Sequence, residues 1–246
     1  MVNKAMKNTL IFFLTSIFFN QCYSDDIKKY QFSQSNAIII SEGTRISADL
    51  YIPKVDAIAP KLPVIIMGNG WGGTAIQLKD TAQDFAKSGF WIYNDPAIDN
   101  KRIALWGTSL AGGIVVYVAS RDKRVKAIVS QVGGMGWGKY AKNYYNEWYV
   151  IASNRARGVY EYPMPGLKDN GNMNGALLNE RLLRFNPVDD SVNLQSCSAL
   201  FITAQNEELM KNSEHSQVAF ENATGNKKFI EIPKIKHYDI YSSPNR

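Results

Sequence analysis

Ser109 sits where a serine can become a nucleophile. The stretch Arg102 to Gly107 is an apolar, strand-like run (Ile103, Ala104, Leu105, Trp106) that passes through Gly107, Thr108, Ser109, Leu110 and Ala111 into helical spacing. A sharp strand-to-helix turn lifts a serine above a sheet and leaves room only for small residues two places before and after it. Gly107 fills the first place and Ala111, with only a methyl group, the second; Gly112 and Gly113 keep the helix start open. The competing role for this serine is to cap the helix that follows. A serine nucleophile needs a base, and the base needs an acid that orients it. There are two histidines, His215 and His237. His237 follows the last strand-like run, where the chain order serine, acid, histidine places a base, whereas His215, between Glu214 and Ser216, reads as a solvent-facing helical residue. The acid belongs after the run Ala199 to Thr203, where Glu207 and Glu208 are both available. Glu207 has the spacing at which an aspartate more usually stands, Glu208 is its rival, and either could instead be the acidic first turn of a helix. Asp189 and Asp190, ahead of that strand, read as loop residues. A tetrahedral oxyanion needs two fixed backbone N–H groups. Leu110 supplies one, and the glycine-rich loop Gly68 to Gly73 supplies the other, with Trp71 the residue of choice.

The elements that must position these groups alternate between strand and helix. Gln31 to Ser41 and Thr44 to Pro53 form a hairpin turning at Glu42 and Gly43; Ile46, Ala48, Leu50 and Ile52 alternate with polar residues and predict one buried face. Val64 to Met67 is an uninterrupted apolar run, the pattern of a strand covered on both faces. Leu78, Ala82, Phe85 and Ala86 then share a helical stripe between Thr74, a candidate N-cap, and Gly89, a candidate stop. Strand Arg102 to Gly107, helix Leu110 to Ser120, strand Val125 to Val132, strand Ala199 to Thr203, helix Glu208 to Ala223 and strand Lys228 to Ile232 complete the pattern. This is an α/β class chain, with a mostly parallel sheet, right-handed crossovers and helices on both faces. From about residue 136 to 193 the strand period lapses into a stretch rich in Tyr and Trp, which predicts a helical insertion over one end of the sheet. Its aromatics either pack the insertion onto the body or line an acyl or leaving-group pocket.

Composition bounds the function. The chain has 246 residues, 45% of them apolar, enough for a single core, and its charge of +6 falls to +4 once Lys4 and Lys7 of the leader are set aside. That weak, scattered balance does not predict a nucleic-acid partner. Two cysteines, Cys22 and Cys197, cannot make a disulfide scaffold or a zinc site, and with only two histidines no metal is expected. The Gly68 to Gly73 loop lacks the lysine and spacing of a phosphate cradle, so no cofactor is expected either. Residues 1–24 read as an export signal: Lys4 and Lys7, an apolar segment from Leu10 to Phe19, and small residues at Cys22 and Ser24 before Asp25. That segment is short of the roughly 20 apolar residues a membrane span needs. Residues 25–246 are then one secreted or periplasmic domain without stable membrane association.

Taken together, these residues resemble an alpha/beta-hydrolase-fold serine hydrolase of the X-Pro dipeptidyl-peptidase-like and dienelactone-hydrolase-like type. The matching pieces are the hairpin with Glu42, Gly43, Thr44 and Ala48 to Pro53, the Gly68 to Gly73 loop, Arg102 to Gly113, Arg184 to Pro187, Asn206 to Leu209, and His237 with Tyr238. The resemblance implies hydrolysis of a small-molecule ester or peptide substrate through an acyl-enzyme, with Ser109, Glu207 and His237 as a triad. Asn69 stands where the family's loop normally has His. The resemblance also implies a further strand and helix between Gly89 and Arg102, where only the twelve residues Phe90 to Lys101 are present. A parallel crossover alone takes about 10 to 12 residues. The expected seam is Phe90 to Trp91, and nine residues after His237 leave no room for a long terminal helix. The alternative function is accordingly a catalytically inactive, internally deleted homologue.

Overall fold

The structure is a computed structural model that describes residues 29–41, 44–54, 61–90, 98–159 and 183–241. Strands β1 (Phe32–Ser41) and β2 (Thr44–Pro53) pair antiparallel as a separate two-stranded sheet. The body is a five-stranded sheet of order β3 (Leu62–Gly68), β4 (Ile98–Thr108), β5 (Val125–Gln131), β6 (Ser198–Ala204) and β7 (Lys227–Ile232), with every neighbouring pair parallel. Among the described residues it is accompanied by the helices α1 (Lys79–Lys87), α2 (Leu110–Ala119), α3 (Trp137–Ala156), α4 (Pro187–Asp190) and α5 (Ser216–Asn222). The export signal, the hairpin turn at Glu42 and Gly43, the seam at Phe90 to Trp91 and residues 160–182 of the insertion lie wholly or partly outside the described residues.

The apolar runs in β4 to β6 follow the period of two that a sheet buried on both faces requires. Ala104, Trp106, Ala127, Val129, Leu200 and Ile202 join Phe85 and Phe90 in one core cluster. Their alternates Leu105, Ile128, Ala199 and Phe201 join Val115, Val116 and Ala219 in another on the opposite face. Helix α1 stops as its glycine predicts. Gly89 has φ +85°, the Gly89 N–H donates to Ala86 O at 3.1 Å, and the Phe90 N–H reaches back to Phe85 O at 3.0 Å. This closing pattern is reinforced by an apolar contact across it, here the Phe85 and Phe90 rings 5.7 Å apart. Thr74 precedes a short 3-10 turn, Ala75–Leu78, rather than α1 itself, and makes no side-chain cap bond.

Five sequence expectations need correction. The strand through Arg102 starts at Ile98, so part of the segment between Gly89 and Arg102 is strand rather than connection. Of the helix expected over Glu208 to Ala223, only Ser216–Asn222 is α-helical, preceded by a 3-10 turn at Asn212–Glu214, because the Glu207 carboxylate accepts from the Leu209 and Met210 N–H groups and holds the chain in a loop. Asp189 and Asp190 lie in α4 rather than in a loop. Val64 and Ile65 are buried but Ile66 is 54% exposed, so β3 is not covered on both faces. Among the described residues β3 is an outermost strand of its sheet, and β2 belongs to the other sheet. At its base the hairpin packs on the body: Phe32 and Tyr51 with Ala82, Ala86 and Met67, and Ile52 with Leu62 and Val64. Its far half leaves Ile38, Ile40 and Ile46 exposed, although the alternation from Ile46 to Ile52 predicts a buried face.

Candidate active site

Parallel strands end on one edge, and in open α/β sheets the ligand crevice lies outside those carboxyl ends. Ser109 follows β4, Glu207 follows β6 and His237 follows β7, so one sheet edge carries all three. Ser109 has φ +57° and ψ −119°, a conformation L-residues avoid, and one that costs about 1–3 kcal/mol. Its neighbours hold it there. The Ser109 N–H donates to Gln131 O at 2.9 Å, and its carbonyl accepts from the Gly112 and Gly134 N–H groups, each at 2.9 Å. The turn tolerates no side chain at 107, where a Cβ would meet Ala111 O at 2.0 Å. The Ala111 methyl is accommodated because Gly68 lies opposite; a Cβ there would come within 2.9 Å of it. The Ser109 side chain makes no cap bond to α2, which removes the helix-capping reading.

The serine hydroxyl instead lies 3.1 Å from His237 Nε2, and both Glu207 carboxylate oxygens lie 2.9 Å from His237 Nδ1. With the Nδ1 proton donated to Glu207, Nε2 is left as the acceptor for the Ser109 hydroxyl. The two candidate acids divide the histidine between them. Glu207 holds the ring, while the Glu208 carboxylate accepts from the His237 backbone N–H at 2.9 Å. The loops that carry them are laced together by Gln205 N–H to Ile232 O and Asn206 N–H to Ile235 O, both 2.9 Å. The His237 and Glu207 side chains are 1% and 2% exposed. Burial pushes the Glu207 carboxyl up, but hydrogen bonds from His237, Leu209 and Met210 together with the imidazole charge outweigh it and hold the group below the usual glutamate range.

Ser109 opens into a cavity of about 380 Å³ whose walls include Trp71, Leu110, Met210, Tyr238 and Tyr241. Trp71 and Leu110, the expected oxyanion donors, therefore flank the serine. Leu110 is the first residue of α2, where helix N–H groups have no intrahelical acceptor. Trp71 sits in a turn closed by Gly73 N–H to Gly70 O at 3.1 Å, with Gly72 at φ +67°. The described cavity wall contains no aromatic residue from the insertion. Trp148 is buried and Tyr145 and Tyr149 stack outward at 6.3 Å, so the described insertion aromatics do not form the pocket. Tyr241 is the residue that sequence reasoning missed; its only signal was its place one short turn beyond His237.

His215 is also corrected. It is 6% exposed, and its Nδ1 accepts from the Met135 and Gly136 N–H groups at 2.9 and 2.8 Å. It fixes the loop after β5 rather than facing solvent. Cys197 is buried, which pushes its thiol up to about 12 and leaves it inert at neutral pH. Among the described residues no group of three His, Cys, Asp or Glu side chains could hold a metal ion, and no helix is long and apolar enough to cross a membrane.

The family profile of the BAAT and acyl-CoA thioester hydrolase C-terminal region matches residues 83–237, well over half of the chain and all of the strands that carry Ser109, Glu207 and His237. The chain belongs to this family. The solved structures it resembles are alpha/beta hydrolases, and the chain has an alpha/beta-hydrolase fold, with fewer helices among the described residues than the full form. It is similar to the alpha/beta hydrolase GrgF of Penicillium sp. sh18, with TM-score 0.62, 16% identity, and 84% and 92% of the two chains covered. It is also similar to a Klebsiella pneumoniae protein described as a dienelactone hydrolase, with TM-score 0.56, 16% identity, and 86% and 89% covered. An uncharacterized 31.7 kDa protein of the traX-finO intergenic region of Escherichia coli is 28% identical over 184 residues, which span 61% of this chain and 62% of that relative. This BAAT C-terminal homologue thus shares the family of acyl-CoA thioester hydrolase C-terminal regions and the fold of alpha/beta hydrolases, and spans about 62% of the length of its curated relative.

Proposed function

We propose that the chain is a serine hydrolase that cleaves a short carboxylic ester or simple thioester through an acyl-enzyme. The observation that carries this reading is the unbroken chain of contacts from Ser109 Oγ through His237 to Glu207. Ser109 attacks the acyl carbon as its proton passes to His237 Nε2; the carbonyl electron pair becomes an oxyanion facing the Trp71 and Leu110 N–H groups. His237 returns the proton to the leaving oxygen or sulfur as its bond to carbon breaks, and water repeats the sequence to release the acid. Glu207 stabilises the imidazolium formed on the way. The described cavity wall carries no Lys or Arg, so it offers nothing for the phosphates of a coenzyme A leaving group, which favours a small neutral substrate. The leader pattern in residues 1–24 supports export to the periplasm or medium, which N-terminal sequencing of the protein from those fractions tests.

A second reading, a homologue that has lost activity, draws on one observation: β3, which carries the oxyanion loop, is an outermost strand with Ile66 exposed. A fluorophosphonate probe separates the two. Labelling of folded wild type that disappears in Ser109→Ala supports the hydrolase; folded wild type that takes no label and turns over no p-nitrophenyl acetate overturns it.

A further inference from the structure

Tyr241 ends the single 3-10 turn Tyr238–Tyr241 that follows His237, and its side chain comes back over the serine. Its hydroxyl lies beside the serine in the same cavity, and a Cβ built on Gly70 would come 3.4 Å from Ser109 Oγ. A Cβ placed on Gly70 would lie 2.7 Å from that hydroxyl and 2.9 Å from Ser109 Cβ. The phenol oxygen, the nucleophile and the Gly70 backbone therefore meet at one point, immediately before Trp71. That is the side of the serine on which the oxyanion forms under the triad reading. Burial pushes the Tyr241 phenol up to about 12, so it is protonated at neutral pH and can donate.

Ser109 Oγ has one proton and two lone pairs. Its proton faces His237 Nε2 at 3.1 Å, which leaves a lone pair for the Tyr241 proton. We infer that the Tyr241 hydroxyl is a third, side-chain donor of the oxyanion site, resting on Ser109 Oγ until substrate arrives and then turning to the carbonyl oxygen. This inference rests on the reading of Ser109 as nucleophile. When the bond from Oγ to the acyl carbon forms, Oγ becomes an ester-type oxygen and a weak acceptor, while the carbonyl oxygen beside it gains a full negative charge. The phenol proton follows the stronger acceptor and remains on the phenol oxygen throughout. No net proton leaves Tyr241; the proton in flight is still the one carried by His237. Gly70 has a role in this arrangement, since any side chain there would occupy the place of the phenol oxygen.

The test compares wild type, Tyr241→Phe and Ser109→Ala on p-nitrophenyl acetate, with phenylboronic acid as the probe of a tetrahedral adduct. Phe keeps the ring and its packing, 6.2 Å from the His237 ring centroid, and removes only the hydroxyl. Hydrogen bonds to a charged acceptor predict that Tyr241→Phe lowers kcat by about 10- to 150-fold. KM stays within about threefold because the bond forms only in the transition state. Boronate affinity falls by the same factor as kcat, and both are referred to the fraction of chains that melt cooperatively. A kcat and boronate affinity within twofold of wild type overturn the inference, as does a shift of the acidic limb of the kcat/KM profile, which would mean that the phenol acts on His237. Activity that survives in Ser109→Ala overturns the nucleophile reading itself, a failure distinct from a neutral Tyr241→Phe.

Discussion

Glu207 and Glu208 are adjacent carboxylates that both touch His237, so exchanging each for Gln separates a charge that works on the ring from one that works on the backbone. In Glu207→Gln the amide oxygen keeps the Leu209 and Met210 N–H groups, which donate to Oε1 at 3.0 and 3.1 Å in the wild type. The amide NH₂ then faces His237 Nδ1, where a carboxylate oxygen stood at 2.9 Å. Oε1 is also 2.9 Å from Nδ1, but an amide NH₂ beside Nδ1 and the loss of the carboxylate charge favour the tautomer in which Nδ1 accepts and the ring proton sits on Nε2. Nε2 can then no longer take the Ser109 proton across the 3.1 Å contact. The same tautomer error in a serine protease triad lowers kcat about 10⁴-fold, equivalent to about 5 kcal/mol of transition-state stabilisation. Glu208→Gln keeps an oxygen for the His237 N–H and loses only the charge of the acceptor. That difference is about 1 kcal/mol, or less than about tenfold in kcat. The assay is burst and steady-state hydrolysis of p-nitrophenyl acetate, with thermal melts to show that each variant folds. A Glu208→Gln loss larger than that of Glu207→Gln, or a folded Glu207→Gln within tenfold of wild type, would refute the tautomer argument.

Gly107→Ala drives a methyl into the Ala111 carbonyl, which is backbone and cannot swing away; we expect a loss of about 3 kcal/mol, read as a fall of about 10 °C in Tm. His215→Phe leaves the Met135 and Gly136 N–H groups without their shared acceptor at a cost of about 3 kcal/mol, and His215→Asn, which restores an acceptor oxygen, recovers part of it in urea midpoints. Glu207 is held below its ordinary value in the folded chain, so the unfolded chain binds its proton first as pH falls. Its stabilising contribution is complete above the usual glutamate value near 4.3 and is lost as pH drops through that value toward the lower folded one; the difference in urea midpoint between wild type and Glu207→Gln therefore shrinks from pH 7 to below pH 4.

The nucleophile turn was legible in the sequence because its requirements are local. A buried strand, Gly107 two places before the serine and a small residue two places after it are all set by steric limits within a few residues. The contacts between the Ser109, His237 and Glu207 side chains were legible only by order along the chain. What turns order into contact is that β4, β6 and β7 run parallel and end on one edge, which residue patterns do predict. The contrasts come from longer-range packing. His215 looked polar and exposed because its helix neighbours are polar, yet two backbone N–H groups some 80 residues earlier need an acceptor. Tyr241 carries no local signal, since only the folded 3-10 turn brings it back to Ser109. The exposure of Ile66 was equally hidden, because an apolar run looks the same whether or not a neighbour covers it.

The short segment before β4 bears unequally on the site. Ser109 and Glu207 depend on β4 and β6, each paired on both sides within the sheet, whereas His237 follows β7, which among the described residues is an outermost strand paired with β6. The loop Gly68 to Gly73 leaves from β3, the other outermost strand among the described residues, which pairs with β4 from Leu62 to Gly68. An outermost strand has one ladder to keep it in place, and here Ile66 on it is exposed rather than covered. Ser109, Glu207 and Leu110 thus follow doubly paired strands, while Trp71 and His237 follow the two outermost strands of the described sheet. A donor that comes from the opposite side, on the Tyr238–Tyr241 turn anchored by Ile240 in the core cluster, does not depend on β3. The physical consequence is that the Trp71 N–H and the Tyr241 hydroxyl reach the serine from opposite ends of the strand order, so a displacement of one end strand leaves the other group attached.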